Sequence, residues 1–521
     1  MSRVIFLSDN TSFGRVGAQR YIGPYSVAHS LEAAGIDTVV VDYFNRKENF
    51  FEYLKQLLTK DTLVIGISST FISPAYSNKL WYAVNALTHS TESYSSTPLM
   101  FKESAEFRIW LNTLRETMNE ICPNAKIIVG GAKVQFLLNY GKEDLCEIDY
   151  FLWGAADAIF IDVVNLLKEN KAPHFLEING HKVIDTMNHY KSTKACPEFE
   201  WKQKWSVQSG EALPIEISRG CIFNCKFCHY EKKESFKKDL ESLRLELIRN
   251  YELFNVSYYH FCDDCFNDGR AKVEAVCNMI KSLPFKLEWV SYARVDVAIK
   301  FPETARLMVE SGCRALHWGI ETLNEKVAKQ IGKGTPSQLV KNFLNSFYKD
   351  YGDLCLSHGS FITGLPGETK DTQIETIDWI CDNEALHFIT VGPLKLFPYK
   401  NSFDGQAMDF SDYSRDPAKY GFKKITFNPS DWEHETMNRQ EAYDFATLFN
   451  EKWRSSRTYR RGTINTMWNY PHLRSLGYSL EETRKIYFDV NSSGPYAKDL
   501  NQRFKNRLND YFEANLTHNR R

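Results

Sequence analysis

Three cysteines within eight residues constrain this chain more than any other stretch of its 521 residues. They are Cys221, Cys225 and Cys228, in the run RGCIFNCKFC that follows a strand-like apolar segment at 213–218. Thiolates are soft ligands that suit iron–sulfur clusters and zinc. A structural zinc site takes four ligands, and His229 stands directly beside Cys228, where both side chains rarely reach one ion. The residues alone leave three interpretations open: an iron–sulfur cluster, a zinc knuckle, or reduced thiols without a metal.

The composition is that of a globular chain of roughly two to four domains. Hydrophobic residues make up 43% and aromatic residues 14%, and no apolar run approaches the roughly 18 residues of a membrane span. The apolar run at the N-terminus is too short for a signal peptide, and an acidic residue follows it too soon. Twelve cysteines in such a chain fit reduced thiols better than disulfides. We therefore expect a cytoplasmic protein. The net charge of −1 gives no hint of a polyanionic partner.

Residues 1–165 alternate short apolar runs with amphipathic stretches. Strands are predicted at 4–7, 38–42, 63–68, 126–131 and 149–154, and helices at 21–34, 50–58 and 103–121. Continuous apolar strands separated by helices predict a doubly wound, Rossmann-like parallel sheet. Ligands of such sheets bind at the carboxyl ends of the strands.

Three further segments complete the predicted organisation. Residues 166–212 are expected to be a linker with a small hairpin at 178–184 around Asn179 and Gly180, and part of the serine-rich stretch 76–104 is either an insertion loop or a solvated spacer. Residues 213–400 form a second α/β unit, with strands predicted at 214–218, 256–261, 287–292, 315–320, 356–362 and 388–391. Residues 401–521 are mostly helical, and we expect them to cap the mouth of the second unit and shape a substrate pocket.

Motifs of the second unit resemble those of the radical S-adenosylmethionine (SAM) enzymes. The cysteine run has the family's Cys-x3-Cys-x-aromatic-Cys form, with Phe227 as the aromatic residue. The other motifs fall at predicted strand ends: FCDDCF at 261–266, ARVD at 293–296, GIET at 319–322 and FITGLPGET at 361–369. Together with the preceding sheet, the resemblance covers residues 1–400. It implies a partial (β/α)6 TIM barrel, whose chemistry lies on the loops after the strands.

The resemblance also implies cofactors and residue roles. The three cysteines would hold a [4Fe–4S] cluster whose open iron binds SAM, and Phe227 would lie against the adenine. Asp264, Arg294 and Glu321 would contact the ribose, ammonium or carboxylate of SAM, although Asp263 and Asp264 would otherwise cap the next helix. In this family, an electron from the cluster cleaves SAM into methionine and a 5′-deoxyadenosyl radical, which abstracts hydrogen from an unactivated carbon.

The first unit resembles the cobalamin-binding domain that precedes many radical SAM domains. The resembling pieces are AAG at 33–35, GIS at 66–68, GG at 130–131 and WGAAD at 153–157. Small residues at strand ends let a bulky ligand approach the backbone. On this resemblance Ser68 and Ser69 would donate hydrogen bonds to the nucleotide tail of cobalamin, and Gly130 and Gly131 would let it pass. Thr11 stands where the family's Asp-x-His-x-x-Gly motif has its histidine, which predicts cobalamin without a protein ligand from this loop.

Two other features have a structural explanation as well as a functional one. Cys262 and Cys265 form a second pair, but an auxiliary cluster would need one or two more thiolates, so we expect a single cluster. A basic aromatic patch is formed by Arg454, Arg457, Tyr459, Arg460 and Arg461. Such a patch binds an anionic substrate or is simply a solvated face.

The sequence therefore predicts a radical SAM enzyme, and the first expected reaction is cobalamin-dependent methylation of an unactivated carbon of a small molecule. One alternative keeps the fold but uses the radical for rearrangement, cyclisation or oxidation, with cobalamin idle or absent. An alternative of another class is a non-catalytic metal-binding module. The expected partners are a small-molecule or anionic substrate and a flavodoxin or ferredoxin as electron donor; we expect no membrane partner, and a nucleic-acid partner is not favoured.

Overall fold

The fold is that of a computed structural model. It describes residues 2–9, 20–69, 104–131, 134–138, 145–157, 159–186, 196–229, 235–396, 411–427, 430–456, 458–459, 467–488 and 493–520. Thr11 and most of the predicted insertion at 76–104 lie outside these residues. Among the helices of the described ranges, none combines the length and the apolar character that crossing a membrane requires.

The N-terminal part of the chain forms one sheet with helices on both faces. Its elements are β1 (Arg3–Leu7), α1 (Ile22–Ala33), β2 (Asp37–Val41), α2 (Phe50–Lys55), β3 (Thr62–Ser68), α3 (Ser104–Asn119), β4 (Lys126–Gly130), α4 (Val134–Leu137), β5 (Tyr150–Trp153), α5 (Phe160–Lys168), β6 (Leu176–Ile178) and β7 (His181–Asp185). The strand order is β2–β1–β3–β4–β5–β7–β6, and β1 to β5 pair in parallel. The predicted doubly wound sheet is confirmed, because unbroken apolar runs such as β1 and β2 are buried on both faces.

The hairpin predicted at 178–184 is confirmed, and it extends this sheet. β6 and β7 pair antiparallel around Asn179 and Gly180, whose φ angles of 49° and 80° are the left-handed values that a tight two-residue turn needs. β7 also pairs in parallel with β5. The first sheet therefore reaches residue 185, inside the segment that we expected to be a linker.

The second sheet is a partial barrel of six parallel strands. In chain order this part contains β8 (Ala212–Glu216), β9 (Ser218–Arg219), β10 (Phe236–Lys237), α6 (Leu240–Phe254), β11 (Tyr258–Cys262), α7 (Arg270–Lys281), β12 (Glu288–Arg294), α8 (Val295–Lys300), α9 (Pro302–Glu310), β13 (Cys313–Glu321), α10 (Glu325–Gln330), α11 (Ser337–Tyr351), β14 (Leu356–Thr363), α12 (Lys370–Asp382) and β15 (Phe388–Pro393). The strand order is β15–β14–β13–β12–β11–β8, so all six predicted strands are present in sequential order. The short antiparallel pair β9–β10 brackets the cysteine loop.

The C-terminal region divides into three parts and does not form the single cap that we expected over the barrel mouth. Its elements are α13 (Asp412–Arg415), β16 (Phe422–Phe427), β17 (Ser430–His434), α14 (Arg439–Ser455), α15 (Tyr470–Ser475), α16 (Leu480–Phe488) and α17 (Ser493–Asn519). The β16–β17 hairpin lies by the carboxyl end of the barrel, where Trp432 Nε1 donates to the Leu394 carbonyl at 3.0 Å. α15 and α16 instead fill the barrel interior, where Leu473 packs with Val290 and Leu356.

The last helix, α17, covers the edge strand β2 of the first sheet. The Tyr511 hydroxyl accepts from the Asp42 amide at 2.8 Å, and Asn515 Nδ2 donates to the Val40 carbonyl at 3.0 Å. Edge strands present unpaired backbone groups, so these side chains satisfy groups that would otherwise face water. The apolar periodicity of 497–514 predicts a helix correctly, but periodicity cannot say which surface that helix covers.

A fully buried arginine joins α1, the connecting segment and β2. The Arg20 guanidinium forms two hydrogen bonds to Glu211, at 2.7 and 3.0 Å, and a third to the Tyr25 hydroxyl at 2.6 Å. Tyr25 in turn donates to Asp42, and burial raises the pKa of this carboxyl to about 7. The connecting segment is therefore held to the first sheet by charged hydrogen bonds in an apolar setting.

Candidate active site

The three cysteines lie on the loop after β8 and β9, at the carboxyl end of the barrel strands. A neighbouring loop fixes its position, because the Lys226 amide donates to the Ile331 carbonyl at 3.1 Å. Gly332 has a φ of 85°, and a Cβ there would stand 3.2 Å from the Asn224 carbonyl, so this close approach requires glycine. The backbone thus holds the cysteine loop against the turn that follows α10.

The donor set suits an iron–sulfur cluster. Cys225 is buried, Cys221 and Cys228 are half-buried, and none of the twelve cysteines forms a disulfide. Within the described ranges, no three Cys, His, Asp or Glu side chains are arranged to hold a single metal ion. A four-iron cluster takes each thiolate on a different iron, so its ligands need not converge on one point.

Arg294, the last residue of β12, points at a cysteine of the loop. Its Nη1 atom donates to Cys225 Sγ at 2.8 Å, and its Nε and Nη2 atoms bind both carboxylate oxygens of Asp296, at 2.9 and 2.5 Å. The guanidinium carbon also lies 3.9 Å from the ring centroid of Phe223. Arg294 is only 6% exposed, so this fully engaged cation is part of the wall of the cysteine site.

The second cysteine pair is divided between different partners. Cys265 is buried and forms a hydrogen bond with Cys221, which lowers the pKa of the Cys221 thiol to about 7. Cys262, at the end of β11, instead lies 3.9 Å from the His260 carbonyl. Cys265 therefore lies beside Cys221 in the cysteine site, whereas Cys262 contacts the backbone of its own strand.

A buried lysine ties the start of the cysteine loop to the acidic motif. Lys272 Nζ lies 2.7 Å from Asp263, 3.3 Å from Asp268 and 2.8 Å from the Ser218 hydroxyl. Asp264 is exposed and accepts a hydrogen bond from the Gly220 amide, at the start of the loop. Neither Asp263 nor Asp264 caps the following helix, because α7 begins only at Arg270.

Glu321 ends β13 in a strained and buried position. Its φ of 68° is left-handed, which is uncommon for a residue other than glycine, and strain of this kind concentrates at functional sites. Its carboxylate lies 3.4 Å from Lys333 Nζ and 3.5 Å from the Ser360 hydroxyl. Sequence reasoning missed Lys333, which also donates to the Gly319 carbonyl at 2.8 Å, because a lysine in a glycine-rich turn carries no pattern of its own.

Two further predicted features lie at the barrel mouth. Phe227 packs beside Ile331 and Leu365, with part of its ring exposed. In the GLPGET run, Gly364 has a φ of 80°, and a Cβ there would collide with Trp432 at 2.5 Å. Glycine at this position lets the β16–β17 hairpin dock beside the mouth.

The predicted cobalamin contacts lie together at the carboxyl edge of the first sheet. Ser68 and Gly130 are paired ends of β3 and β4, and the Ser69 amide donates to the Gly130 carbonyl at 2.7 Å. A Cβ on Gly130 would meet only Leu152, at 3.8 Å, so nothing in the described chain requires glycine there. Gly131 follows with a φ of 102°.

Another glycine of the same edge has a structural cause. A Cβ on Gly66 would stand 2.6 Å from the Phe6 ring, so packing within the sheet explains this residue without a ligand. Gly130 lacks such a close neighbour and leaves space at the end of β4. The sequence could not separate the two, because both are glycines near the end of an apolar run.

The two carboxyl edges meet beside the cysteine loop. Arg219, at the start of that loop, forms an ion pair with Asp157 at 2.9 Å, and Asp157 follows β5 of the first sheet. Ser26 of α1 also donates to Asp157.

Of the predicted basic patch, Arg454 and Tyr459 are described, whereas Arg457, Arg460 and Arg461 lie outside the described residues.

The barrel interior contains residues that the sequence did not single out. Four buried histidines, His260, His317, His358 and His472, lie inside the barrel beside Tyr292 and Trp468. They are far apart in the chain, and alternate inward positions become visible only once the strand register is known.

Residues 215–380 match the family model described as the Radical SAM superfamily. The chain is 25% identical over 288 residues to an uncharacterized methyltransferase of Pyrococcus horikoshii, an alignment that covers 51% of this chain and 60% of the relative. It is 24% identical over 379 residues to the anaerobic magnesium-protoporphyrin IX monomethyl ester cyclase of Cereibacter sphaeroides, which covers 67% of this chain and 60% of the relative. The chain therefore spans about 60% of the length of these relatives.

A solved structure shares the overall fold. It is the radical SAM methyltransferase TsrM from Kitasatospora setae, described with cobalamin and a [4Fe–4S] cluster bound. The two chains superpose with a TM-score of 0.56 at 12% identity, and the match covers 99% of both. At this identity the likeness establishes the order and arrangement of the sheets and helices.

The buried Lys272 gives a test of how the cysteine loop is held. We expect Lys272→Met to lower the free energy of unfolding by about 3–5 kcal/mol, because it leaves two carboxylates buried without their cation. The matched control is Lys281→Met on the same helix, whose ion pair with Glu310 is exposed, so its loss should change the stability little. Urea unfolding followed by circular dichroism measures both. Equal shifts of the two midpoints would contradict the structural role of Lys272.

Proposed function

Residues 215–380 belong to the radical SAM superfamily, and we propose that this enzyme performs a cobalamin-dependent radical reaction, namely methylation of an unactivated carbon of a small molecule. The observation that carries the proposal is the meeting of two carboxyl edges. The cysteine loop, which bears Cys221, Cys225 and Cys228, stands at the mouth of the barrel, and its Arg219 is paired with Asp157 of the first sheet. A cluster on this loop would face the ligand edge of a Rossmann-like sheet.

In the proposed enzyme, a [4Fe–4S] cluster on the three cysteines would supply the electron that cleaves SAM. The chain's own residues would position and enclose these groups. Arg294 would neutralise part of the charge on the Cys225 thiolate, and Lys272 would hold the loop through Ser218. Glu321 and Asp264 lie where acidic side chains can bind the ribose hydroxyls and ammonium of SAM.

The cobalamin part of the proposal rests on the first sheet. Ser68, Ser69, Gly130 and Gly131 lie side by side at the carboxyl edge, and Gly130 leaves space that no described side chain fills. When bound there, cobalamin would supply the methyl group, and a second SAM would replace it. Because Thr11 takes the place of a histidine, we propose that this loop gives cobalt no protein ligand.

A second candidate keeps the radical but not the methyl transfer. The relative from Cereibacter sphaeroides is named a cyclase, which supports ring formation or another rearrangement as the alternative. The products separate the two, since methyl transfer from SAM forms S-adenosylhomocysteine and hydrogen abstraction alone does not. The non-catalytic metal-binding module is not proposed further, because the chain carries a radical SAM domain. A flavodoxin or ferredoxin remains our proposed electron donor.

The first test of the function is the cluster itself. Replacing Cys221, Cys225 or Cys228 by Ala should abolish 5′-deoxyadenosine formation under reducing conditions, because each change removes a ligand. Cys262→Ala and Cys265→Ala are the matched controls and should leave about four irons per chain, the content of one such cluster. Iron analysis and product chromatography measure both. If either control halved the iron of a protein that began with about eight, the single-cluster proposal would be wrong.

A second test concerns Arg294. Reduction adds negative charge to a cluster, so a cation bonded to one of its thiolates favours the reduced state. We expect Arg294→Gln to lower the reduction potential by on the order of 50 mV, where 59 mV is a tenfold change for one electron. Arg294→Lys keeps the charge and should lower it less.

The measurement is a redox titration followed by electron paramagnetic resonance, on protein with full iron content. An unchanged potential in Arg294→Gln, together with a loss of SAM affinity, would instead favour the contact with SAM that the sequence predicts.

A third test addresses cobalamin. Protein purified with cobalamin supplied should retain it, and Gly130→Val should retain much less, because the added side chain projects into the space at the strand ends. Gly269→Val is the control, since a Cβ there meets nothing within 4 Å and the residue lies in the barrel unit. Ultraviolet–visible spectra measure retention. Nitrogen superhyperfine splitting in the Co(II) resonance spectrum that changes when the protein, but not cobalamin, is labelled with nitrogen-15 would refute the absence of an axial protein ligand.

A further inference from the structure

The barrel interior carries a layer of neutral imidazoles below the cysteine site. His260, His317 and His358 lie on β11, β13 and β14, and His472 comes from α15. All four are less than 10% exposed. Burial lowers the pKa of every one of them, to about 4 for His317 and to about 3 for His472. These rings are therefore uncharged at neutral pH.

Three of the four histidines have a polar partner. The Nε2 atoms of His260 and His472 lie 2.9 Å apart, and His358 Nε2 lies 2.7 Å from the Thr390 hydroxyl. His317 forms no hydrogen bond within the described part of the chain, and its Nδ1 atom is buried. Leaving a buried polar group without a partner costs about 1–3 kcal/mol. A bound molecule that bonded to His317 would remove that cost.

His317 belongs to a continuous aromatic surface. Its ring centroid lies 5.0 Å from that of Tyr292 and 5.8 Å from that of Trp468, and Tyr292 and Trp468 are themselves 4.6 Å apart. We call these three residues the floor. On the far side, His317 stacks on His358 at 4.5 Å, which fixes the orientation of its ring.

The floor is not closed off as a packed core would be. Tyr292 is 45% exposed although it faces the inside of the barrel, and Trp468 is half-buried. A segment that only plugged the barrel would bury these large rings, because each offers some 150 Å² or more of apolar surface. Part of the floor, on the rings of Tyr292 and Trp468, is therefore exposed.

The floor lies directly below the cysteine site. Tyr292 precedes Arg294 by two residues on the same face of β12, so it stands about 7 Å lower. Arg294 touches Cys225, and it pairs across the sheet with Gly319, which follows His317 by two residues on β13. A molecule resting on the floor would therefore lie within one side-chain layer of the cluster loop.

We propose that the floor binds a planar, uncharged aromatic ring of the substrate, and that His317 bonds to a polar atom on that ring. Tyr292 and Trp468 supply faces for stacking, and neutral His317 can donate or accept a hydrogen bond. The floor presents no charged side chain, so it offers nothing to balance a charged ring. This inference rests on the proposed function, because it assigns the substrate class of the same barrel.

The test uses three bicyclic probes that differ in one property each. 2-Naphthol is planar with a hydroxyl, naphthalene is planar without one, and decahydro-2-naphthol has the hydroxyl but is not planar. Saturation-transfer NMR on the cluster-loaded protein should rank the affinity of 2-naphthol first. Tyr292→Leu should weaken both planar probes at least fivefold, whereas His317→Phe should weaken 2-naphthol and not naphthalene.

The control variant is Tyr251→Leu. Tyr251 is also a partly exposed tyrosine stacked on another ring, Phe285 at 4.0 Å, but it lies on the outer helix α6. Planar-probe affinities that were equal in Tyr292→Leu and Tyr251→Leu would overturn the proposal. A tenfold loss of SAM affinity in Tyr292→Leu would also overturn it, because the floor would then hold the adenine of SAM.

A measurement on the unmodified protein does not depend on the folding of any variant. Reducing the cluster makes it paramagnetic, so the proton signals of 2-naphthol on the floor should broaden more than those of decahydro-2-naphthol. Equal broadening of the two would count against the floor. The probe results test only the binding of a ring to the floor. If the protein formed no 5′-deoxyadenosine from SAM, the proposed function would be wrong, but the conclusion about ring binding would not change.

Discussion

The ion pair between Arg219 and Asp157 marks the constraint on which the architecture depends. Parallel strands send all of their carboxyl ends to one edge, so each sheet has a single face on which loops can collect. Arg219 opens the cysteine loop of the barrel, and Asp157 follows β5 of the first sheet. Because a partly buried ion pair is weak evidence for stability, the position of this pair matters more here than its contribution to the free energy of unfolding. It shows that the two edges face one another, and only that arrangement lets groups held on different sheets act on one molecule.

Two buried ion pairs flank the cysteine loop. Lys272 with Asp263, and Arg294 with Asp296, are both nearly excluded from water and lie on strands or helices that flank the loop. Replacing buried pairs of this kind by apolar side chains often leaves stability unchanged, so stability alone is a weak reason for keeping them. Their effect here is positional. Each cation reaches a loop atom, Ser218 or Cys225, that an apolar side chain could not hold.

Much of the fold could be predicted from the sequence, because a buried parallel strand leaves a clear signal. The run at 4–7 is apolar throughout, and the run at 356–362 is apolar or small except for His358. Each became a strand with nearly the predicted bounds. The positions of α15 and α16 inside the barrel, and of α17 against β2, could not be predicted in the same way. Periodicity predicts that Tyr511 lies on an apolar face, but the partner of that face is the edge strand β2, some 470 residues away. A local sequence pattern contains no information about a partner so far away in the chain.

The candidate site likewise contains residues that the sequence predicts and residues that it does not. Contiguous motifs, such as the cysteine run, could be recognised in the sequence. His317 meets its neighbours only through the strand register, and Lys333 reaches Glu321 from the turn after α10. Register also sets the polarity of the barrel from floor to mouth. Tyr292 and His317 are uncharged, and two residues further along their strands lie Arg294 and Gly319, followed by Glu321. Side chains on these strands are thus uncharged at the floor and charged at the mouth, which would favour a substrate whose flat part lies on the floor. Its polar part would then lie beside the charged groups, where we propose that SAM binds.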